Sequence, residues 1–152
     1  QAQHHAELVE LSQSMQMYLK SVHRLQERKG AARVTDIAKD LKVNKASVTS
    51  ALRNLSSRGL INYTPYDIIT LTDDGLAVAE EVEVRYAALR DFFVSVLGID
   101  DESADQAACD MEHHLPKAVS DRMVGFIEYY ESCTTTRFRW DPNASQFCHD
   151  DE

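Results

Sequence analysis

The chain has 152 residues and a formal net charge of −9, with 43% hydrophobic and 27% charged residues. This length suits one ordinary domain or two small ones. No apolar run approaches the roughly 20 residues that a helix needs to span a bilayer, which excludes a helical membrane protein. The three cysteines, an odd number, and the lack of an apolar leader predict a reducing cytoplasm rather than a disulfide framework.

Charge is divided unevenly along the chain. Residues 12–75 carry ten Lys and Arg against six acids, a net of +4, whereas residues 76–152 carry six against seventeen, a net of −11; Glu7 and Glu10 make up the remaining −2. A basic half next to an acidic half favours a protein that contacts phosphates with one part only. The alternative is two solvated faces of an ordinary soluble protein.

The basic half predicts three helices. After a polar extension over residues 1–13, a helical period begins at Ser14 and Gly30 ends it. Thr35 is predicted to cap a short second helix, and Asn44 to cap a third. The last two helices flank a tight polar turn, as in a helix-turn-helix unit. The predicted helices cover residues 14–29, 36–41 and 45–58.

Two β-like segments follow, residues 60–63 and 68–71, on either side of a predicted turn. Three helices followed by a hairpin predict a winged helix-turn-helix DNA-binding domain over residues 14–75.

The acidic half predicts three further helices. Thr72 is expected to cap a long one that ends near Leu97, and Pro116 to end the next, over residues 101–115. The last begins near Ser120 with apolar residues facing inward: Met123, Val124, Phe126, Ile127 and Tyr130.

These amphipathic helices predict a helical dimerisation domain over residues 76–133, so the fold class is mainly α with a small β-wing. Packing within a single chain is the alternative. The tail, residues 134–152, has no clear period, although Asp141-Pro142 favours a short terminal turn.

In a helix-turn-helix unit the second helix enters the major groove with its N-terminal residues leading. Arg53 and Asn54 are long enough for bidentate contacts to bases, and the hydroxyl groups of the same helix suit phosphates or base edges. The serines equally suit solvation, and the wing tyrosines equally suit packing onto the helices. The candidate DNA-binding residues are Arg33, Lys45, Ser47, Thr49, Ser50, Arg53, Asn54, Tyr63 and Tyr66.

A candidate metal centre lies in the acidic half. Cys109, Glu112 and His113 stand at i, i+3 and i+4, which predicts one shared helix face. A thiolate, a carboxylate and an imidazole together suit iron, manganese, zinc or cobalt. A buried cysteine and a surface Glu-His pair, both common, are the alternative.

Residues 14–131 resemble the diphtheria toxin repressor family of metal-dependent regulators, which includes the manganese transport regulators. The resemblance depends on short motifs in the three N-terminal helices and the wing. These motifs are Met17-Tyr18-Leu19, Arg33-Val34-Thr35-Asp36-Ile37-Ala38, Ser47-Val48-Thr49, Gly59-Leu60-Ile61, Tyr63-x-x-Tyr66 and Leu71-Thr72-x-x-Gly75.

The resemblance implies a cytoplasmic homodimer that binds a palindromic DNA operator when loaded with ferrous iron or manganese. It implies a primary metal site made of Met17, Cys109, Glu112 and His113. Manganese-selective members carry carboxylates at the positions of Met17 and Cys109, so this chain is similar to the iron branch. Thioether and thiolate ligands favour Fe²⁺ over Mn²⁺, with Co²⁺, Ni²⁺ or Zn²⁺ as substitutes in vitro.

The chain departs from the family pattern at its second metal site. The family has a His at the position of Tyr86, and the next ligand positions are Arg90 and Asp105; Lys20 replaces a Glu of the manganese regulators. Charged Lys and Arg side chains cannot ligate a cation. The usual second site is therefore expected to be absent or rebuilt, with Asp105, Tyr86 and His114 as a residual alternative. The third, SH3-like domain of longer members is not expected in this length of chain.

Cys133, Cys148 and His149 form a further candidate for a second ion or for redox sensing, against the alternative of ordinary packing cysteines. A winged-helix regulator that responds to oxidation of Cys109, Cys133 and Cys148 is a rival hypothesis. A metalloenzyme using Glu112 as a base is a weaker one. The chain has no His-Glu-x-x-His run and no Gly-rich phosphate loop, so an enzyme is not expected.

Overall fold

The computed structural model describes residues 11–66, 68–133 and 137–149. The chain divides into two compact units, residues 1–82 and residues 83–152. None of the helices in these described segments has the length and apolar character needed to cross a membrane.

The first unit begins with three helices: α1 (Gln13–Lys29), α2 (Val34–Leu41) and α3 (Lys45–Ser57). The predicted end of the first helix is confirmed, because Gly30 takes the left-handed conformation with φ 82° and donates its N–H to Gln26 O. Ser12 caps the start, its side chain accepting from Met15 N at 3.3 Å. The helix buries Leu19, Val22 and Leu25 in the core cluster.

The predicted start of the second helix is wrong. α2 begins at Val34, with Arg33 at the N-cap position and Thr35 inside the first turn. The cause is a β-bridge just before the helix, where Ala32 and Ile69 exchange backbone hydrogen bonds of 3.0 and 2.8 Å. This pairing keeps the chain extended through Arg33, so the helix starts directly after it.

The third helix follows its prediction closely. Asn44 caps α3 by accepting from Ser47 N at 2.7 Å, and the helix ends at Ser57, one residue earlier than expected. Gly59 then adopts a φ of 72°, which a glycine takes without strain. The predicted inward residues are all buried: Val48, Ala51, Leu52 and Leu55.

The wing is shorter than predicted. Strand β1 (Ile61–Asn62) pairs antiparallel with β2 (Thr70–Leu71), Ile61 opposite Leu71. Leu71 N also donates to Gln26 Oε1 at 2.8 Å, which ties the wing to α1. Of the predicted turn between the strands, Asp67 lies outside the described residues.

Helix α4 (Asp73–Asp91) continues into a π-helical turn, Phe92–Val96. The predicted cap is confirmed: Thr72 Oγ1 accepts from Gly75 N at 3.1 Å. Residues 92–96 were predicted to continue the same α-helix. Leu97 N instead donates to Phe92 O, five residues back rather than the four of an α-helix.

The next two helices differ from prediction at their junction. Helix α5 (Asp101–Met111) ends four residues early and a 3₁₀ turn, Glu112–His114, follows it. Helix α6 (Lys117–Ser132) starts three residues early, since Pro116 serves as its N-cap residue and its carbonyl accepts from Val119 and Ser120 N–H. Of the residues predicted to face inward on α6, Ile127 is buried and Phe126 is exposed.

The C-terminal tail forms a hairpin that the sequence did not predict. Strand β3 (Phe138–Asp141) pairs antiparallel with β4 (Gln146–His149). The turn predicted at Asp141-Pro142 is present, because Asp141 Oδ1 accepts from the N–H groups of Asn143 and Ala144 at 2.9 and 3.3 Å. β3 carries Phe138 and Trp140 two residues apart, and Phe147 of β4 lies opposite Trp140, so the sequence signal for strands was brief.

Candidate nucleic-acid interface and metal centre

A cavity of about 430 Å³ on the first unit collects most of the predicted DNA-binding residues. It lies among the start of α2, the exposed side of α3 and the wing. Six of the nine candidates line it, namely Arg33, Lys45, Thr49, Arg53, Tyr63 and Tyr66, together with Val34, Thr35 and Pro65.

The charge of this cavity is one-sided. Among the residues that the structure describes, Arg33, Lys45 and Arg53 line it and no carboxylate does so. All three cations are exposed. Three guanidinium and ammonium groups around one opening suit the phosphates of a nucleic acid backbone, which dominate such binding.

The other three candidates lie outside the lining. Ser47 and Ser50 are exposed on α3, while the Asn54 side-chain oxygen accepts from Arg58 Nε at 3.0 Å. Sequence reasoning missed Val34, Thr35 and Pro65. Val34 and Thr35 line the cavity because α2 starts early. Local sequence does not show this start, since it follows the Ala32–Ile69 bridge between residues far apart in the chain.

Tyr66 is the most conspicuous side chain of the wing. It is fully exposed and its backbone has a φ of 68°, a conformation that non-glycine residues rarely take. Tyr63 is half-buried and packs against the core cluster. The two wing tyrosines therefore differ: Tyr63 contributes to packing, and Tyr66 is presented to solvent at the cavity.

In the second unit, the 3₁₀ turn brings Glu112 and His113 together. Glu112 Oε1 lies 3.1 Å from His113 Nε2, and the side chains are 1% and 2% exposed. A carboxylate and an imidazole side by side, both shielded from water, are donors that divalent transition metals accept. This pair therefore supplies two donors of the kind that a transition-metal site requires.

Cys109 differs from this pair because its thiol is exposed. The end of the α-helix at Met111 accounts for part of the difference, since a 3₁₀ turn has about 3.0 residues per turn and rotates the following side chains relative to the α-helical stripe. Met17, on α1 of the first unit, is 40% exposed and does not belong to the core cluster. Its thioether is thus not committed to core packing.

Within the described segments, no three His, Cys, Asp or Glu side chains are grouped closely enough to hold a metal ion. The candidates for a second ion accordingly form no such group within the described residues. His114 and His149 are exposed. Cys133 is the C-cap of α6, and Cys148 lies on β4 with Sγ 3.7 Å from Arg139 O.

The positions expected to depart from the family's second site form a polar contact between α4 and α5. Tyr86 donates its hydroxyl hydrogen to Asp105, and Arg90 contacts Asp101 at 2.7 Å and Asp105 at 4.0 Å. The hydrogen bond to Asp105, followed by burial and the negative charge of Asp105, raises the pKa of Tyr86 to about 12. Asp105 and Tyr86, two of the three residues of the residual alternative, are thus in contact, and Asp105 also lies beside the Arg90 guanidinium, whereas His114 is exposed.

A winged helix-turn-helix unit followed by a helical unit defines a class of two-part transcriptional regulators. Residues 10–69 match the "Iron dependent repressor, N-terminal DNA binding domain". Residues 72–141 match the "Iron dependent repressor, metal binding and dimerisation domain". The chain belongs to the iron dependent repressor family, a family of metal-dependent transcriptional regulators.

Curated relatives agree with this assignment. The chain is 31% identical over 122 residues to the uncharacterized HTH-type transcriptional regulator MJ0568 of Methanocaldococcus jannaschii, covering 80% of this chain and 98% of that protein. It is 32% identical over 118 residues to the HTH-type transcriptional regulator MntR of Bacillus subtilis, covering 78% and 82% of the two chains.

A solved structure has the same fold. The crystal structure of T. acidophilum IdeR superposes with a TM-score of 0.67 at 23% identity, covering 78% of this chain and 55% of that one. The present chain thus spans about half the length of the IdeR chain.

Proposed function

We propose that this protein is a ferrous-iron-responsive repressor, which binds a palindromic DNA operator as a homodimer when it holds its metal. The cavity with three cations and no carboxylate among its described lining residues is the observation that carries the DNA-binding half of the proposal. It accommodates sugar-phosphate backbone beside α3, whose N-terminal residues enter the major groove. Two copies presenting two such helices match half-sites about 34 Å apart.

The metal-binding half is supported by the buried Glu112–His113 pair. We assign Glu112, His113, Cys109 and Met17 as the ligands. When bound by these four side chains, the metal would add positive charge at this site and act as a Lewis acid. The two sulfur donors distinguish the set from an all-oxygen and nitrogen site and favour iron over manganese. Manganese response is the alternative within the same family.

Fluorescence anisotropy of a palindromic operator-like duplex, recorded without oxygen, tests this proposal. The protein is titrated first in chelator and then with ferrous iron or manganese at matched concentrations. We expect binding only with metal, with iron effective at the lower concentration. Tight binding in chelator would overturn the metal requirement, and dependence on oxidant instead would favour the rival in which Cys109, Cys133 and Cys148 sense redox state.

The ligand assignment has its own test. Met17→Asp replaces a soft thioether with a hard carboxylate, so the response should move towards manganese. Met15→Leu, at a half-buried residue of the same helix that packs on the core, is the control and should leave the metal preference unchanged. An unaltered iron-to-manganese ratio in Met17→Asp would remove Met17 from the ligand set.

A further inference from the structure

The second unit contains a cavity of about 430 Å³ that neither DNA binding nor the Glu112–His113 pair uses. It is formed by the π-helical turn, by the end of α6 and by the C-terminal hairpin. Its lining consists of residues 94–96 with Gly98, of Tyr130 with Glu131, and of residues 137–140. π-helical turns are rare and often occur at functional sites.

Specific contacts hold the walls of this cavity together. Tyr130 donates its hydroxyl hydrogen to Phe138 O at 2.8 Å, which fixes the first strand of the hairpin to α6. On the other side, a Cβ added at Gly98 would lie 3.4 Å from the Trp140 Cβ, and Gly98 has a φ of 67°. The hairpin is therefore seated against both the π-helical turn and α6.

The cavity is cationic although its unit is acidic. Residues 83–152 carry six Lys and Arg against fifteen Asp and Glu. Two of those cations, Arg137 and Arg139, line the cavity, and Glu131 is the one acid among its described lining residues. Guanidinium groups bind carboxylates and phosphates through paired hydrogen bonds. The local excess of positive charge thus favours an anionic ligand.

Tyr130, Phe138 and Trp140 supply aromatic rings to the lining. The centroids of Tyr130 and Phe138 are 5.0 Å apart, and those of Trp140 and Phe147 are 5.1 Å apart. Phe147 packs against Trp140 from outside the lining, and both side chains stay exposed. Sites for small molecules combine apolar surface with convergent polar groups in a volume of about 300 to 1,000 Å³. This cavity has such a volume, and its lining is more polar than apolar.

We propose that this cavity binds a small organic anion, with a flat apolar body against the aromatic side chains and a carboxylate or phosphate against Arg137 and Arg139. The surrounding unit, with six Lys and Arg against fifteen Asp and Glu, repels the continuous backbone of a nucleic acid, so a single small anion is the favoured occupant. The site makes the hairpin a second sensory element, separate from the metal ligands.

Trp140 is the single tryptophan of the chain, so its fluorescence reports on this cavity directly. The full chain is titrated with phenyl phosphate, benzoate, inorganic phosphate and, as a neutral control, phenol. We expect a saturable change with the aromatic anions, a weaker response to inorganic phosphate and little response to phenol. The comparison of phenyl phosphate with benzoate identifies which anionic group the arginines prefer.

Substitution of the arginines provides the second measurement. The double variant Arg137→Gln with Arg139→Gln should bind the aromatic anion more weakly, by about tenfold or more. A tenfold loss of affinity is equivalent to about 1.4 kcal/mol of binding free energy. Arg139→Lys, which keeps the charge without the planar fork, should give an intermediate affinity. Arg122→Gln, at an exposed cation of α6 outside the cavity, is the matched control and should behave as the unaltered protein.

Two results would overturn the proposal. One is the lack of a saturable change with any anionic probe up to about 10 mM, beyond the weak end of small-ligand affinities. The other is equal affinity in the double variant, with its helical circular dichroism intact. A response to duplex DNA alone, abolished in the double variant, would instead assign the hairpin to a nucleic acid contact.

Discussion

Gly75 lies in the first turn of α4, where the helix passes against the chain at Leu60. A Cβ at this position would stand 1.8 Å from Leu60 O, a backbone atom that itself accepts from Thr72 N. We predict that Gly75→Ala lowers the free energy of unfolding by about 3 kcal/mol, the upper end of the overpacking range. Urea denaturation followed by circular dichroism measures it.

The matched control for that substitution is Gly125→Ala in α6. No atom of the described residues lies within 4 Å of the added Cβ there. The same chemical change should then stabilise the protein by up to about 1 kcal/mol, because alanine is the better helix former. Similar effects of the two substitutions would contradict a steric role for Gly75.

Asp40 joins α2 to α1 through hydrogen bonds from Ser21 at 2.6 Å and Arg24 at 2.5 Å. Burial alone would raise the pKa of Asp40, but the two hydrogen bonds and the charges of Arg24 and Arg28 outweigh it and hold the pKa below 3.8. The stabilisation is therefore complete above the ordinary carboxyl pKa and is lost as pH falls through the lowered value.

We predict that Asp40→Asn lowers the free energy of unfolding by about 2 kcal/mol at neutral pH, within the range for hydrogen bonds to charged groups. The difference from the unaltered protein should shrink in acid, where Asp40 itself becomes neutral. Urea midpoints at neutral and acid pH measure both effects. Asp36→Asn, which removes a more exposed pair with Lys29, should cost less. A difference that does not depend on pH would argue against the charge of Asp40.

At the scale of secondary-structure elements, the helices could be predicted from the sequence, whereas the start of α2 and the C-terminal hairpin could not. Caps such as Asn44 and Thr72 act on the next few residues, so local sequence is sufficient to locate them. The start of α2 depends on the Ala32–Ile69 bridge, which no local pattern contains. The C-terminal hairpin has strands of only four residues, too short for a clear period.

The candidate sites divide in the same way. Lys45 and Arg53 lie on α3 and Arg33 precedes α2, and the helix-turn-helix pattern predicted all three as DNA-binding candidates, which the structure places around one cavity. The sequence spacing of Cys109, Glu112 and His113 assumed one continuous α-helix. Glu112 and His113 are buried in the 3₁₀ turn, whereas Cys109, on α5, is exposed. A change in helical pitch of this kind depends on how the next helix begins at Pro116, which the period of α5 does not encode.

The contact between α4 and α5 has a measurable signature. Tyr86 donates to the Asp105 carboxylate, and the pKa of Tyr86 is raised to about 12 mainly by that bond. We predict that Asp105→Asn lowers the pKa of Tyr86 towards 10.0, the value of an unperturbed phenol. Tyrosinate absorbance at high pH follows the change. In a Tyr86→Phe background the same substitution should have no effect, and a persisting difference would assign the shift to another tyrosine.

At the scale of the whole molecule, the uneven charge predicts how DNA binding responds to salt. The cationic cavity lies in a half with a net charge of +4, and the other half carries −11. Each phosphate that Arg33, Lys45 or Arg53 neutralises releases condensed counterions, which adds about 0.9 to the slope of log K against log salt concentration. Charge on the rest of the surface neutralises no phosphate and adds nothing to this slope.

Arg33→Gln should therefore weaken binding evenly across DNA sequences and reduce the salt slope by about 0.9 for each phosphate that the arginine had neutralised. Arg53→Gln, if Arg53 contacts a base, should lower affinity mainly for the preferred operator, by about 1 to 3 kcal/mol. Anisotropy titrations at several salt concentrations separate the two effects. Arg122→Gln in the acidic half is the control. A slope that changes as much with this control as with Arg33→Gln would mean that overall charge, rather than the cavity on the winged-helix unit, attracts the DNA.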